Sequence, residues 1–350
     1  MPSITTPATV LVTAGANGFI ATWICKTFLE RGYRVRGTVR SSSKGDYLLK
    51  IFKDYGEGFT YYVVEDMVKP GAFHEAVKGV QAVIHTASPA VIVSDDPQDI
   101  IQPALGGTLE LINGINKCGS EVKRLVFTSS CSAITDPTKP TGTIYTDDDW
   151  NTWSIKQVEE KGRDAGGWDI YRASKVLAEK AAWEEANKQN RWDMVAIHPL
   201  ITLGPFIHDI NEPSKLNTSI ARLYNILSAK EEDLNSEILL VHDLNFGDVR
   251  DVALAHLRGV EYEKAGGERF IVCNGAYTWQ DALDTLPAQY CRPLGTPGSG
   301  KSVKHTVFDS TKAQKMLDLS LRSFKETLDD TAFELHSRGW LPIRPESVQV

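Results

Sequence analysis

Between residues 9 and 198, short runs rich in β-branched residues alternate with longer amphipathic segments. Few architectures accommodate that rhythm. Strands joined by helices run parallel, cross over in one hand, and build an open sheet with helices on both faces. The spacing predicts strands over 9–13, 34–39, 60–64, 82–86, 124–128 and 193–198. It predicts helices over 18–31, closed by Gly32, and over 44–55, 70–77, 97–118 and 169–190. From residue 199 the rhythm breaks at Pro199, Gly204, Pro205 and Pro213, all of them strong interrupters of regular structure. The 350 residues hold material for roughly two domains of about 150. The expectation is therefore an α/β fold: a doubly wound parallel sheet in 1–198, then a smaller lobe drawn mainly from 199–350, with room for later segments to return to the sheet. Residues 295–300 form a loop by composition, and a last helix is expected over 310–338, ending at Gly339 and Pro342. In such sheets ligands bind in the crevice beyond the carboxyl ends of the strands.

Composition narrows the partners. Lys and Arg number 38 against 45 Asp and Glu, a net charge of −7 with no long basic run, so the electrostatic footprint of a nucleic-acid binder is missing. The longest apolar runs are strand-length, far short of the roughly 20 residues a membrane span needs. The N-terminus lacks the positive region of a secretory signal, which points to a cytoplasmic protein. Cys25, Cys118, Cys131, Cys273 and Cys291 are odd in number and widely spaced, which reads as reduced thiols rather than a disulfide frame or a metal site. Asn217-Thr218-Ser219 matches a glycosylation sequon, a coincidence without a secretory route.

The first strand runs directly into Gly15-Ala16-Asn17-Gly18-Phe19-Ile20-Ala21. Gly15 suits the tight turn, and Gly18 lets a pyrophosphate approach the main chain at the positive end of the following helix. A glycine turn alone is a weak signal; between a strand and a helix it reads as a dinucleotide cradle. The second strand bears on which dinucleotide. NAD sites place an acid about 20 residues beyond the glycines, whereas here the strand ends in Thr38-Val39-Arg40-Ser41-Ser42-Ser43-Lys44. Arg40 offers a planar fork, and Lys44 a point charge, to a ribose 2′-phosphate. That predicts NADPH, the alternative being that both are solvated surface cations. Arg36, further inside the strand, is expected to be such a surface residue.

Tyr171 and Lys175 stand four apart in the fifth helix, hence on one face. A free phenol titrates near 10, and a fixed ammonium beside it lowers that value enough for acid catalysis. The spacing occurs by chance in many helices. Here, however, the fifth strand ends in Thr128-Ser129-Ser130, at the edge where a cofactor would lie.

Together the glycine turn, Ser130, Tyr171 and Lys175 resemble the extended short-chain dehydrogenase/reductases along essentially the whole chain, which implies a Rossmann-type sheet. Thr38-Val39-Arg40, Val64-Glu65-Asp66-Met67, Thr86-Ala87-Ser88-Pro89, Phe127-Thr128-Ser129-Ser130 and His198-Pro199 with Gly204-Pro205 are similar to one branch. It holds fungal NADPH-dependent aldehyde and carbonyl reductases and the plant dihydroflavonol and cinnamoyl-CoA reductases. The resemblance implies Tyr171 as proton donor, Lys175 as its pKa partner and a ligand of the nicotinamide ribose, and Ser130 as holder of the carbonyl oxygen. Asp66 and Met67 would contact the adenine; Thr86, Ala87, Ser88 and Thr128 would line the cofactor; Pro199 and Leu200 would lie by the nicotinamide carboxamide. Gly15, Asn17, Gly18, Phe19, Ile20, Arg40 and Lys44 complete the expected cofactor set. Ala14, before the glycine, departs from the branch's usual threonine: either the strand carries one extra residue, or Ala14 replaces the threonine and removes a hydroxyl from the turn. Walls for a small carbonyl substrate are expected from Ser88, Ala133, Ile134, Thr135, Phe206 and Leu216, in a monomer or homodimer. Two alternatives remain: a nucleotide-sugar epimerase or dehydratase retaining NAD, against which Arg40 and Lys44 argue, and a non-catalytic dinucleotide sensor, against which the Tyr171/Lys175 pair argues.

Overall fold

The computed structural model describes residues 4–13, 15–86 and 96–344. The first half alternates strand and helix as β1 (Thr9–Thr13), α1 (Phe19–Glu30), β2 (Arg34–Val39), α2 (Ser42–Ile51), β3 (Phe59–Val63), β4 (Ala82–His85), α3 (Gln98–Cys118) and β5 (Arg124–Thr128). It continues through a short β6 (Ile144–Tyr145), α4 (Trp153–Lys161), α5 (Gly167–Asn187) and β7 (Asp193–Pro199). The remainder runs β8 (Ile201–Leu203), α6 (Thr218–Ser228), α7 (Ser236–Leu239), β9 (Phe246–Asp248), α8 (Val249–Glu261), β10 (Arg269–Val272), α9 (Trp279–Thr285), β11 (Val307–Phe308), α10 (Thr311–Met316) and α11 (Phe324–Ser337).

Seven strands form one sheet in the order β3-β2-β1-β4-β5-β7-β10, with every pairing parallel. The strand order reverses between β1 and β4, and a crevice opens at such a point. Both faces are apolar because successive side chains dip into opposite cores. Val10 and Val12 pack with Ile24 and Phe28 of α1 and Val252 and Ala255 of α8, while Leu11 packs with Leu111 and Ile115 of α3 and Ala178 and Ala182 of α5. A separate core, including Leu203, Leu223, Phe246, Trp279, Leu283 and Leu335, fills the second lobe.

Four sequence expectations need correction. Residues 70–77 form turns rather than a helix. Side chains satisfy their main-chain groups: Glu110 accepts from the Gly71 N–H at 2.7 Å, and Arg36 donates to the carbonyls of Ala76 and Lys78 at 2.8 and 2.7 Å. Arg36 is therefore a structural clamp and not a solvated surface cation. The helix expected over 44–55 ends at Ile51 and continues as 3₁₀ turns over Lys53–Gly58, where Gly56 takes φ +53°. The last helix is two, α10 and α11, parted by Asp318 at φ +51°. The linker is drawn toward α8, with the Arg322 N–H donating to Asp251 at 2.7 Å, before Ser323 caps α11. Up to residue 198 the sequence reading passed over β6 and α4, and beyond it no element was placed before the last helix; among those is β10, which returns to the sheet beside β7 from the stretch assigned mainly to the second lobe.

The glycine-rich stretch at 295–302 reads Gly-Thr-Pro-Gly-Ser-Gly-Lys-Ser, the spacing of a phosphate-binding P-loop. It leads only into a 3₁₀ turn over Ser299–Ser302. The donors at its start are already taken: the N–H groups of Leu294 and Gly295 go to Glu231, that of Thr296 to Gln280 and that of Gly298 to Asp284.

Candidate active site

The crevice begins at the glycine turn. Gly15 adopts φ +104°, a conformation a side chain rarely accepts. The Gly15 and Ala16 N–H groups donate to the Thr38 carbonyl at 3.1 and 3.0 Å, and the Gly18 N–H donates to the Gly15 carbonyl at 2.7 Å. No side chain caps α1, so its first N–H groups remain available to an anion. A Cβ on Gly18 would stand 3.2 Å from the Gly15 oxygen. Gly37 in β2, which the sequence reading passed over, allows the turn to lie flat, since a Cβ there would meet Ala16 Cβ at 2.8 Å. Asn17 is half-buried in the turn. The Phe19 ring points into the second lobe, 5.4 Å from that of His208, and Ile20 packs between the two cores, so both offer main chain rather than side chain to the cradle. Ala14 lies outside the described residues.

At the end of β2, Arg40 is exposed and, among the described residues, makes no hydrogen bond or ion pair. Lys44, on α2, is engaged: its ammonium lies 2.9 Å from Asp209 of the second lobe. The Asp66 carboxylate accepts from the Val68 N–H at 3.0 Å. Met67 beside it lies in the space left by Gly107 of α3, where a Cβ would overlap it. After β4 the Thr86 hydroxyl donates to the Thr13 carbonyl at 2.9 Å, tying the two strand ends at the switch point together. Ala87 and Ser88 lie outside the described residues. The Thr128 hydroxyl is committed to His256 Nε2 at 2.7 Å, on the α8 side of the sheet. Pro199 ends β7 in register with Val272, and Leu200 packs over Cys131 and Ile271.

Ser130 stands two residues beyond the end of β5, and its Oγ accepts from the Ser132 N–H at 3.1 Å, which turns the chain away from the sheet. Tyr171, on α5, lies beside Ser130. Burial pushes the phenol above its ordinary value, and the neighbouring Ser130 hydroxyl opposes that shift. Lys175, one helical turn on, is buried. Loss of hydration draws it down to about 8, opposed by the carboxylate of Glu179. His85 lies near Lys175, bonded to Thr13 at 2.6 Å and Thr108 at 3.2 Å; burial and the nearby ammonium keep it neutral, at about 3. The structure thus unites Ser130, Tyr171 and Lys175 at the carboxyl edge of the sheet.

The expected substrate walls fare differently. Ala133 and Ile134 are fully buried, and the Thr135 hydroxyl is used on the Cys131 carbonyl. Phe206 is sandwiched between Trp340, stacked at 6.0 Å, and the Arg338 guanidinium at 4.6 Å, and Leu216 belongs to the second-lobe core. Burial leaves Ala133, Ile134 and Phe206 no free surface, so the walls assigned to them are withdrawn. Trp168 was missed: 44% exposed, it meets Tyr171 edge-on at 6.1 Å and carries Arg172 over its face at 5.9 Å. A tryptophan three residues before a candidate acid, in a helix entering a cleft, was the available signal.

Among the described residues no group of three His, Cys, Asp or Glu is placed to hold a metal, and no helix is long and apolar enough to cross a membrane.

A parallel sheet of order 3-2-1-4-5 with a glycine turn at its switch point and a Ser/Tyr/Lys group beyond it defines a Rossmann-type dinucleotide-binding protein. A profile of the NAD dependent epimerase/dehydratase family matches residues 10–273, and the chain belongs to that family, the extended short-chain dehydrogenase/reductases. Among curated relatives, the NADPH-dependent methylglyoxal reductase of Saccharomyces cerevisiae is 33% identical over 345 residues, covering 92% of this chain and 96% of the relative. Cinnamoyl-CoA reductase 2 of Medicago truncatula is 34% identical over 344 residues, covering 96% and 94%. The crystal structure of yeast methylglyoxal/isovaleraldehyde reductase complexed with NADPH superposes with a TM-score of 0.83 at 32% identity, covering 95% of this chain and 99% of that one.

Proposed function

We propose that the protein reduces the carbonyl of an aldehyde or ketone to the alcohol using NADPH. The observation that carries this reading is the placing of Tyr171 beside Ser130 with Lys175 buried one turn on, at the crevice where the glycine turn opens. The turn fits a dinucleotide: its φ, its uncapped helix and the close approach at Gly18 suit a pyrophosphate lying against main chain. Arg40, free of protein partners among the described residues, fits a 2′-phosphate, and the similar yeast reductase is described with NADPH. Gly15, Gly18 and the first N–H groups of α1 would hold the pyrophosphate, Arg40 and Lys44 the 2′-phosphate, and Lys175 the nicotinamide ribose.

NADPH, when bound, supplies the hydride. The Ser130 and Tyr171 hydroxyls hold the substrate oxygen, where negative charge grows as the carbonyl carbon is reduced. Tyr171 then gives its phenolic proton to that oxygen, so carbonyl, hydride and proton account for the alcohol. The Lys175 ammonium stabilises the phenolate left behind, and at neutral pH it remains mostly charged.

The test is initial-rate loss of NADPH and NADH absorbance over aliphatic aldehydes, aryl ketones, β-keto esters and dihydroflavonols. We expect turnover with a strong NADPH preference. Tyr171→Phe should bind NADPH normally and lose at least about a hundredfold in kcat; wild-type turnover in that variant would refute the assignment of the acid. A tightly retained, non-exchanging NAD would favour the epimerase reading instead.

A further inference from the structure

We propose that Glu179 is a positioning residue of this site. Its buried carboxylate locks the strand end bearing Ser130 to the helix bearing Tyr171 and Lys175, and it holds the charge on Lys175. The inference deepens the reductase reading and rests on it.

Tyr171, Lys175 and Glu179 follow one another at four-residue intervals, so they form one stripe along α5. Glu179 is fully buried, and four donors converge on its two oxygens. Oε2 accepts from Ser129 Oγ at 2.5 Å and His198 Nε2 at 2.9 Å. Oε1 accepts from Arg269 Nε at 2.8 Å and Trp183 Nε1 at 3.2 Å. The donors come from the end of β5, from β7, from β10 and from α5 itself, so one carboxylate joins three strands to the helix that carries the acid.

Ser130 is held from both sides by this arrangement. Its predecessor Ser129 is bonded to Glu179 directly. Beyond it, Arg269 extends the network: Nη1 donates to the carbonyls of Asp147 and, at 2.8 Å, Asp149, with the guanidinium 3.7 Å over the Trp150 ring. Asn151 then donates its N–H to the Ala133 carbonyl at 2.8 Å and its amide to the Ser132 carbonyl at 3.2 Å. The loop leaving Ser130 is thereby braced by the segment that Arg269 grips. A buried ion pair contributes little stability over apolar side chains of the same volume, so stability alone does not account for the network.

The surroundings of Lys175 make Glu179 electrostatically consequential as well. α5 carries Tyr171 and Glu179 at the positions one turn before and after Lys175; β4 presents His85, kept neutral by burial and bonded in turn to the uncharged hydroxyls of Thr13 and Thr108. The end of β5, β7 and β10 bring Ser129, His198 and Arg269 to Glu179 itself. Among the described residues Glu179 is the carboxylate that opposes the desolvation of Lys175. Removing its charge, with Arg269 left in place, must make the ammonium harder to keep.

The experiment compares wild type, Ser129→Ala and Glu179→Gln for NADPH affinity by tryptophan fluorescence, and for kcat and KM of a carbonyl substrate from pH 5.5 to 9.5. Glu179→Gln should move the alkaline limb of kcat to lower pH by about one unit. Ser129→Ala removes one bond and no charge; its kcat should fall about tenfold with the limb unmoved and NADPH affinity within about twofold. A merely structural role would lower stability and leave the limb where it was. A wild-type limb in a folded Glu179→Gln protein, or wild-type kcat in Ser129→Ala, overturns the proposal. Should Glu179→Gln not fold, Arg269→Lys replaces it: this variant keeps the charge but loses the fork, and wild-type kcat in both it and Ser129→Ala overturns the proposal equally. No carbonyl turnover by the wild type sinks the reductase reading and this inference together, whereas wild-type turnover with unaffected variants sinks this inference alone.

Discussion

Arg40 and Lys44 have similar charge and different circumstances. Arg40 has no ion pair to give up among the described residues, whereas Lys44 begins 2.9 Å from Asp209, and a 2′-phosphate must compete with that carboxylate. Charge-assisted hydrogen bonds contribute about 1.5–3 kcal/mol. Arg40→Ala should therefore raise the NADPH dissociation constant by roughly ten- to a hundredfold and leave NADH affinity nearly unchanged. Lys44→Ala should cost less, because loss of the ammonium also removes the competition at Asp209. Fluorescence titration with both cofactors checks this, and equal losses for NADPH and NADH in Arg40→Ala would refute it. Ser130, Tyr171 and Lys175 were legible in the sequence because their residue types carry the chemistry and their positions follow a strand end or a helical turn. Glu179 was not: with Glu184 and Glu185 close behind it, it looks like another charge on a solvated helix face. Only the approach of β7 and β10 buries it.

At the scale of elements, the glycine cradle depends on a neighbouring strand. The turn lies against β2 through two hydrogen bonds to Thr38, and Gly37 supplies the space. A methyl group there would meet Ala16 Cβ at 2.8 Å and the Phe59 ring at 3.2 Å, and neither neighbour is the loose end of a long side chain. Overpacking of this kind costs about 1–3 kcal/mol. Gly37→Ala should lower the midpoint of urea unfolding and also weaken NADPH binding, since the turn must lift from the strand; a destabilised variant with unchanged NADPH affinity would show that cradle and strand are uncoupled. Three of the sheet strands, β1, β2 and β5, fall at the bounds that sequence patterning gives, because a strand buried on both faces announces itself by β-branched runs. Residues 70–77 and 310–338 misled for the complementary reason. There Glu110, Arg36 and Asp251, distant in sequence, take up main-chain groups that a helix would otherwise have satisfied itself, and local periodicity carries no record of such partners.

Across the whole molecule, the sheet draws its last strand from residues 269–272, beyond the break at Pro199, because pairing β10 to β7 depends on a return path that no local pattern encodes. Packing so many elements together also buries histidines on several of them, and this sets the acid stability of the fold. Burial lowers His85, between β1 and α3, to about 3. It lowers His256 on α8 to about 4. His208 over α1 is lowered to about 4, with Arg338 and Lys44 adding to the effect of burial. In the unfolded chain each imidazole titrates near 6.5. Above that value both states are neutral and the full stability is present; as pH falls from about 6.5 toward the folded values, only the unfolded state takes up protons, so stability declines. Each histidine then costs on the order of 2 kcal/mol at pH 5. Asp147 and Asp251, whose carboxyls burial pushes up, have the opposite sign and offset part of the loss, but three imidazoles outnumber two carboxyls. Glu179, held well below the usual carboxylate range by His198 and Arg269, adds a loss of its own only once pH falls through that range. Urea midpoints should therefore fall between pH 7.5 and pH 5.0. His256→Gln, which removes one of the three imidazoles, should show a shallower dependence over the same interval even though its midpoint at pH 7.5 is lower; parallel pH dependences for the variant and the wild type would show that the buried histidines do not set the acid limit.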